Sequence, residues 1–179
     1  MERTEAPVIA LKNVLVATDF GEPSASALRY GAELARRFGA SLHVLHVLDD
    51  LSAQLTPWAV AGVAVTMDEW QTSAEVRAQA SLEALIPASD RAAIHAQFRV
   101  LVDRSPANAI LAYARDQLID LVIIGTHGRH GLSYFFLGSV AQHVARLAPC
   151  PVLTVRATER DFIQPDALQA VDRQAHANG

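Results

Sequence analysis

Residues 120–148 read DLVIIGTHGRHGLSYFFLGSVAQHVARLA, and the fold turns on how they are interpreted. LVIIG is apolar throughout, as expected of a central parallel strand covered on both faces. VAQHVARLA (140–148) has the spacing of a helix. Between them stand Gly125, Gly128, Gly131 and Gly138, with His127, Arg129, His130 and the aromatic run Tyr134, Phe135 and Phe136. Such a pliable strand-to-helix connection is either shaped by packing alone or bent around a ligand.

Strand and helix patterns alternate outward from it. NVLVATD (13–19) is a short apolar run closed by Asp19. The next segment, 23–39, places Ala25, Leu28, Ala32, Ala35 and Phe38 on one helical face and stops at Gly39. SLHVLHVLD (41–49) is a second strand. Residues 67–86 form a long helix with Trp70, Ala74, Ala78, Leu82 and Leu85 in register, ending before Pro87. In IHAQFRVLVD (94–103), Phe98, Val100 and Val102 alternate with Gln97 and Arg99, the signature of a strand with one wet face at a sheet edge. SPANAILAYARDQL (105–118) offers Ser105 as N-cap, Pro106 at the first helical position, and a stripe of Ile110, Leu111, Ala114 and Leu118. PVLTVR (151–156) is the last strand. This βαβαβαβαβ order predicts an α/β fold, a parallel sheet with helices on both faces. The domain is expected over 10–156. Outside the pattern lie a long apolar connection, 50–66, and a polar tail, 157–179.

At 179 residues, 51% of them hydrophobic, the chain has the material for one sizeable core. Net charge is −4 and the arginines are scattered, so no nucleic-acid footprint is visible. The single cysteine excludes an internal disulfide framework. No apolar run reaches the roughly 18–20 residues of a membrane span. The opening MERTEAPVIALKN lacks the apolar core of a secretory signal, so a cytoplasmic location is expected.

In open parallel sheets ligands bind beyond the carboxyl ends of the strands, where the strand order reverses. The glycine segment leaves the end of strand four, and a helix N-terminus after it adds unpaired donors and a positive dipole end, which suits an anion. Ser139 stands where its hydroxyl caps the helix or meets a phosphate oxygen. The segment is not a G-x-x-x-x-G-K-[ST] loop, since no lysine follows Lys12, and no G-x-G-x-x-G follows strand one.

Gly125-x-x-Gly128, nine further residues and then Gly138-Ser139 resemble the nucleotide-binding motif of the universal stress protein family. The resemblance extends to the opening strand–helix–strand from Asn13 to Val47 and to the closing APCPVLTVR. It implies a five-stranded parallel sheet of order 3-2-1-4-5, the adenine nucleotide alpha-hydrolase-like arrangement, binding ATP or a related adenine nucleotide (AMP or ADP) between strands one and four. By position it implies Ala17, Thr18 and Asp19 on the nucleoside side and the Val47 backbone at the adenine edge. It likewise implies Gly125, Gly128 and Arg129 at the ribose and phosphate turn, and Gly138, Ser139 and Val140 around the outer phosphates. The corresponding function is a stress-response nucleotide sensor with at most slow hydrolysis. Mg²⁺ is expected to be held through the phosphates, since it keeps waters and takes few protein ligands.

Plainer readings stand beside these. Asp19 also suits a cap for the first turn of the first helix, and Ser139 is an N-cap in either case. His43 and His46, three apart on a strand, point to opposite faces and cannot share a metal ion. No cysteine or carboxylate completes a ligand set around His127 and His130. Cys150, between two prolines, reads as a rigid entry to strand five. That strand is an open edge in the implied order, which invites a homodimer through 151–156, with Val155→Pro expected to give monomers. The competing function is a non-catalytic dimeric module that recruits a client protein and binds no nucleotide. Catalytic motifs of an adenylyl transferase or an electron-transfer flavoprotein relative are not seen.

Overall fold

The computed structural model describes residues 9–50, 64–126 and 137–156, with side chains from 69 onward in the second stretch. Five strands, β1 (Asn13–Ala17), β2 (Ser41–Leu48), β3 (Gln97–Val102), β4 (Leu121–Gly125) and β5 (Val152–Val155), form one sheet of order β3-β2-β1-β4-β5. Every pairing is parallel. The helices are α1 (Glu22–Phe38), α2 (Ala64–Ala84), the single turn α3 (Ala88–Arg91), α4 (Pro106–Asp116) and α5 (Ser139–Leu147). No described helix is long and apolar enough to cross a membrane.

Alternation along β1 divides the core in two. Val14 and Val16 pack with Ala27, Leu28 and Ala35 of α1 and Leu82 of α2. Leu15 and Ala17 pack with Ala107, Ile110 and Ala114 of α4 and Ala141 and Val144 of α5. The sheet therefore lies between two helical layers. Beneath it, Asp120 accepts the backbone N–H groups of Lys12 (2.7 Å) and Asn13 (2.9 Å), tying the starts of β1 and β4 together.

Several expected faces shift. The buried set of α1 includes Ser24, Ala27, Leu28, Gly31 and Ala35, while Ala25 and Phe38 are exposed. Alanines surround this helix, so apolar spacing alone does not fix its orientation. Gly39, at φ 63, ends it by donating its N–H to the Ala35 carbonyl. Trp70 is 67% exposed rather than inward. The 21 residues of α2 span about 31 Å, whereas a six-residue strand such as β3 covers roughly 20 Å, so the helix is longer than the strand it packs beside. Leu118 lies beyond α4 at φ 49 and is 77% exposed; Ala107 and Ala109 join Ile110, Leu111 and Ala114 as the buried residues of the helix. Ser105 caps α4 as expected, its Oγ accepting from the Asn108 N–H at 3.4 Å.

Val155, expected at the open edge of β5, points its backbone the other way. Thr126 N–H donates to Val155 C=O, and Val122 N–H to Pro151 C=O. Backbone groups alternate in direction along a parallel strand, so Val155 faces β4, and Val152 and Thr154 face the open edge. Val155→Pro would cut the inner ladder.

Candidate functional site

β1 leads to β2 and β3 on one side, while β4 leads to β5 on the other, so strand order reverses between β1 and β4. The carboxyl ends of β1, β2 and β4 and the start of α5 meet there. β1 ends at Ala17, in register with Leu45 and Ile124. Thr18 N–H extends the ladder by one bond, to Leu45 C=O at 2.9 Å.

The turn into α1 is organised by buried hydroxyls. Ser24 Oγ donates to Gly21 C=O at 2.8 Å, so its other contact, with Thr18 Oγ1 at 3.0 Å, takes the threonine as donor. Thr18 Oγ1 in turn accepts from Phe20 N–H at 3.0 Å. Asp19 Oδ1 accepts from Gly21 N–H at 3.0 Å, an Asx turn that sets up the N-cap residue of α1 rather than capping the helix itself. The backbone between β1 and α1 is thereby fixed with Asp19 at its bend.

On the β4 side, Gly125 is required by packing. A Cβ there would lie 2.8 Å from the Pro23 carbonyl carbon and 2.9 Å from Ser24 N. The first turn of α1 thus crosses directly over the end of β4. Thr126, 3% exposed, follows; its carbonyl accepts from Gly138 N–H at 2.6 Å. The chain therefore leaves β4 and re-enters at α5 through a neck one hydrogen bond wide. Gly128 and Arg129 lie outside the described residues, as do His127, His130, Gly131, Tyr134, Phe135 and Phe136.

Beyond the neck, Gly138 is the N-cap of α5 and Ser139 its first helical residue. Gly138 brings no capping side chain, contrary to the expectation for Ser139, which stands one position too late to be the N-cap and is exposed. The first-turn N–H groups of a helix have no partner within it, so Gly138 leaves them to groups other than an N-cap side chain. Val47 and Val140 are half-buried against the core on the α4–α5 face. Ala17, Val47 and Gly125 lie at or near the ends of β1, β2 and β4, Thr18 and Asp19 directly after β1, and Gly138, Ser139 and Val140 at the start of α5. A separate groove of about 610 Å³, lined by Phe20, His46, Leu48, Ala78 and Leu85 among others, opens on the α2 side and includes none of them.

His43 and His46 diverge. His43 Nδ1 meets Tyr113 Oη of α4 at 2.9 Å, and His46 Nδ1 meets Thr18 C=O at 2.7 Å. Burial, with the Arg99 charge adding to it, holds the His43 imidazole below its ordinary value. Burial also pushes the Cys150 thiol up, away from the reactive thiolate. Among the described residues no group of three or more His, Cys, Asp or Glu side chains is placed to hold a metal. Sequence reasoning missed Phe20, Ser24, His46 and Thr126. The spacing of Thr18 and Ser24 is a faint signal; nothing local marks the others.

A sequence profile of the universal stress protein family matches residues 10–156. The universal stress protein YxiE of Bacillus subtilis is 32% identical over 148 residues, 80% of this chain and 97% of that protein. The universal stress protein UspA of Lactobacillus plantarum superposes with a TM-score of 0.66 at 25% identity, covering 83% of this chain and all of the other (100%). At lower identity the fold recurs in a universal stress protein in complex with cAMP (TM-score 0.54, 22% identity, 84% of this chain and 100% of that one). It recurs also in an Archaeoglobus fulgidus universal stress protein in complex with dAMP (TM-score 0.52, 21% identity, 83% and 99%). Sheet order and sequence agree: the chain belongs to the universal stress protein family.

Proposed function

We propose that this chain binds ATP or a related adenine nucleotide (AMP or ADP) across the carboxyl ends of β1, β2 and β4. In this reading it is a cytoplasmic stress-response nucleotide sensor, a single domain over 10–156. The observation that carries the proposal is the start of α5 at Gly138, an N-cap residue without a side chain, in the connection that leaves β4 at the reversal of strand order. Ala17, Thr18, Asp19 and Val47 take the nucleoside side, and Gly138, Ser139 and Val140 the outer phosphates. Gly125 borders the ribose; Gly128 and Arg129 join it on the strength of the motif alone. The relatives seen with cAMP and dAMP support the ligand class.

The N-terminus of a helix suits a phosphate chain, and Mg²⁺ is held through those phosphates, where it neutralises their charge. Asp19, the carboxylate in the set, already serves Gly21. Turnover beyond slow hydrolysis is not part of the proposal. Calorimetry with ATP·Mg, AMP and cAMP tests it: one of them binds, and Gly138→Val or Asp19→Ala weakens that binding sharply. Absence of binding by the wild-type chain overturns it.

The open edge of β5 is the proposed homodimer contact, through 151–156. Thr154→Pro removes an edge N–H while sparing the inner ladder, and should give monomers in sedimentation; an unchanged dimer refutes the contact. One observation favours the alternative of a client-recruiting module without nucleotide. Gly125 has a packing reason to be glycine whether or not a ligand is present.

A further inference from the structure

In a parallel ladder a strand residue directs its N–H and C=O to the same neighbour. Leu45 C=O accepts from Thr18, so Leu45 and Val47 face β1; Leu48 C=O accepts from Asp103 N–H beyond β3, so His46 and Leu48 face β3. A regular continuation would have Val47 N–H donate to Thr18 C=O. The β1–β2 pairing nevertheless stops at Ala17–Leu45, while β2–β3 runs on to Leu48–Val102.

The Thr18 carbonyl is taken instead by His46 Nδ1 at 2.7 Å. A carbonyl only accepts, so Nδ1 carries the hydrogen, as it does in both the neutral Nδ1–H tautomer and the imidazolium. The same ring packs on Phe20, with centroids 4.5 Å apart at 47°. Phe20 has φ 65, a conformation non-glycine residues rarely adopt and surrounding structure must hold. Asp19 lies between the two residues that this ring secures.

We propose that His46 is the positioning residue of the nucleotide site: its Nδ1–H ends the β1–β2 ladder early by capping Thr18, which leaves the Val47 backbone edge open to the base. Its Phe20 contact holds the bend at Asp19. The inference rests on the nucleotide reading but predicts a backbone arrangement that exists without ligand.

The test uses the full chain with His46→Asn, whose amide nitrogen reaches the place of Nδ1, and His46→Leu, which has no donor. ATP·Mg affinity by calorimetry should fall about tenfold or more in His46→Leu and clearly less in His46→Asn, which keeps the donor and loses only the Phe20 contact. By NMR without nucleotide, the Val47 amide should exchange more slowly in His46→Leu, because Thr18 C=O is free to pair with it. If His46→Leu does not fold, His46→Gln, whose amide reaches the place of Nε2, should show the same losses. Equal affinity in all variants, or unchanged Val47 exchange, overturns the role. A wild-type chain that binds no nucleotide refutes the proposed function, and the exchange measurement still decides whether His46 ends the ladder.

Discussion

Helices α4 and α5 pack on the same face of the sheet, and each begins beyond the carboxyl end of a parallel strand, yet their starts are built in opposite ways. At α4, Ser105 Oγ accepts the Asn108 N–H and Asp103 Oδ1 accepts the Ser105 N–H at 2.7 Å. At α5, Gly138 brings no side chain, and Ser139 is already inside the helix. The first start lies beside edge strand β3, the second beside the reversal point. The start beside the edge strand is closed by its own N-cap side chain, whereas the start beside the reversal point has an N-cap residue with none to offer.

Converting one start into the other has the largest expected effect. Gly138 has φ −56 and ψ 149, open to any residue, so Gly138→Asp can place a carboxylate cap on α5. Adenine-nucleotide affinity should drop about a hundredfold through like-charge repulsion, while the cap adds about 1 kcal/mol of stability, a few degrees in Tm. Unchanged affinity in calorimetry would break the comparison.

Gly125→Ala asks to which side the end of β4 belongs. The Pro23 and Ser24 backbone should make it destabilising by about 1–3 kcal/mol, with the same loss of Tm in the presence and absence of nucleotide. Full stability with lost binding would assign Gly125 to the ligand alone.

Ser105→Ala, at the sealed start, should lose about 1 kcal/mol in denaturant unfolding and leave nucleotide affinity alone. A loss of affinity would show that the two starts are coupled.

The smallest effect is a pH slope on the α4 side, where Tyr113 meets His43, 3% exposed and with a buried Nε2 lacking a partner. The unfolded chain takes up a proton near the ordinary value of 6.5, and the folded chain only at lower pH. The unfolded state then holds more protons, so stability is constant above that value and falls as pH drops below it. His43→Gln should flatten the Tm profile in this window; an unaltered slope assigns the titration elsewhere.

The layers were legible from the alternation of strand and helix patterns, and the strand order from the family resemblance, with which a wet edge strand and apolar central strands agreed. Single-residue placements were not. Alanine on every side of α1 hid its buried face, and Ser139 reads as a cap until the helix is seen to begin at it. The direction of the Val155 backbone depends on ladder register, a long-range property. Phe20 is the plainest case: a left-handed turn announces itself as glycine or asparagine, and here its support comes from His46 on another strand.

The hydrogen bond from Gly138 N–H to Thr126 C=O also makes the site modular. Its two ends are anchored independently, Thr126 on β5 and Gly138 on α5, so residues 127–137 join points the frame already holds together. Closure entropy rises slowly with length, about 0.6 kcal/mol per doubling. A change of length within that span would therefore cost the fold little, with the sheet beneath left untouched.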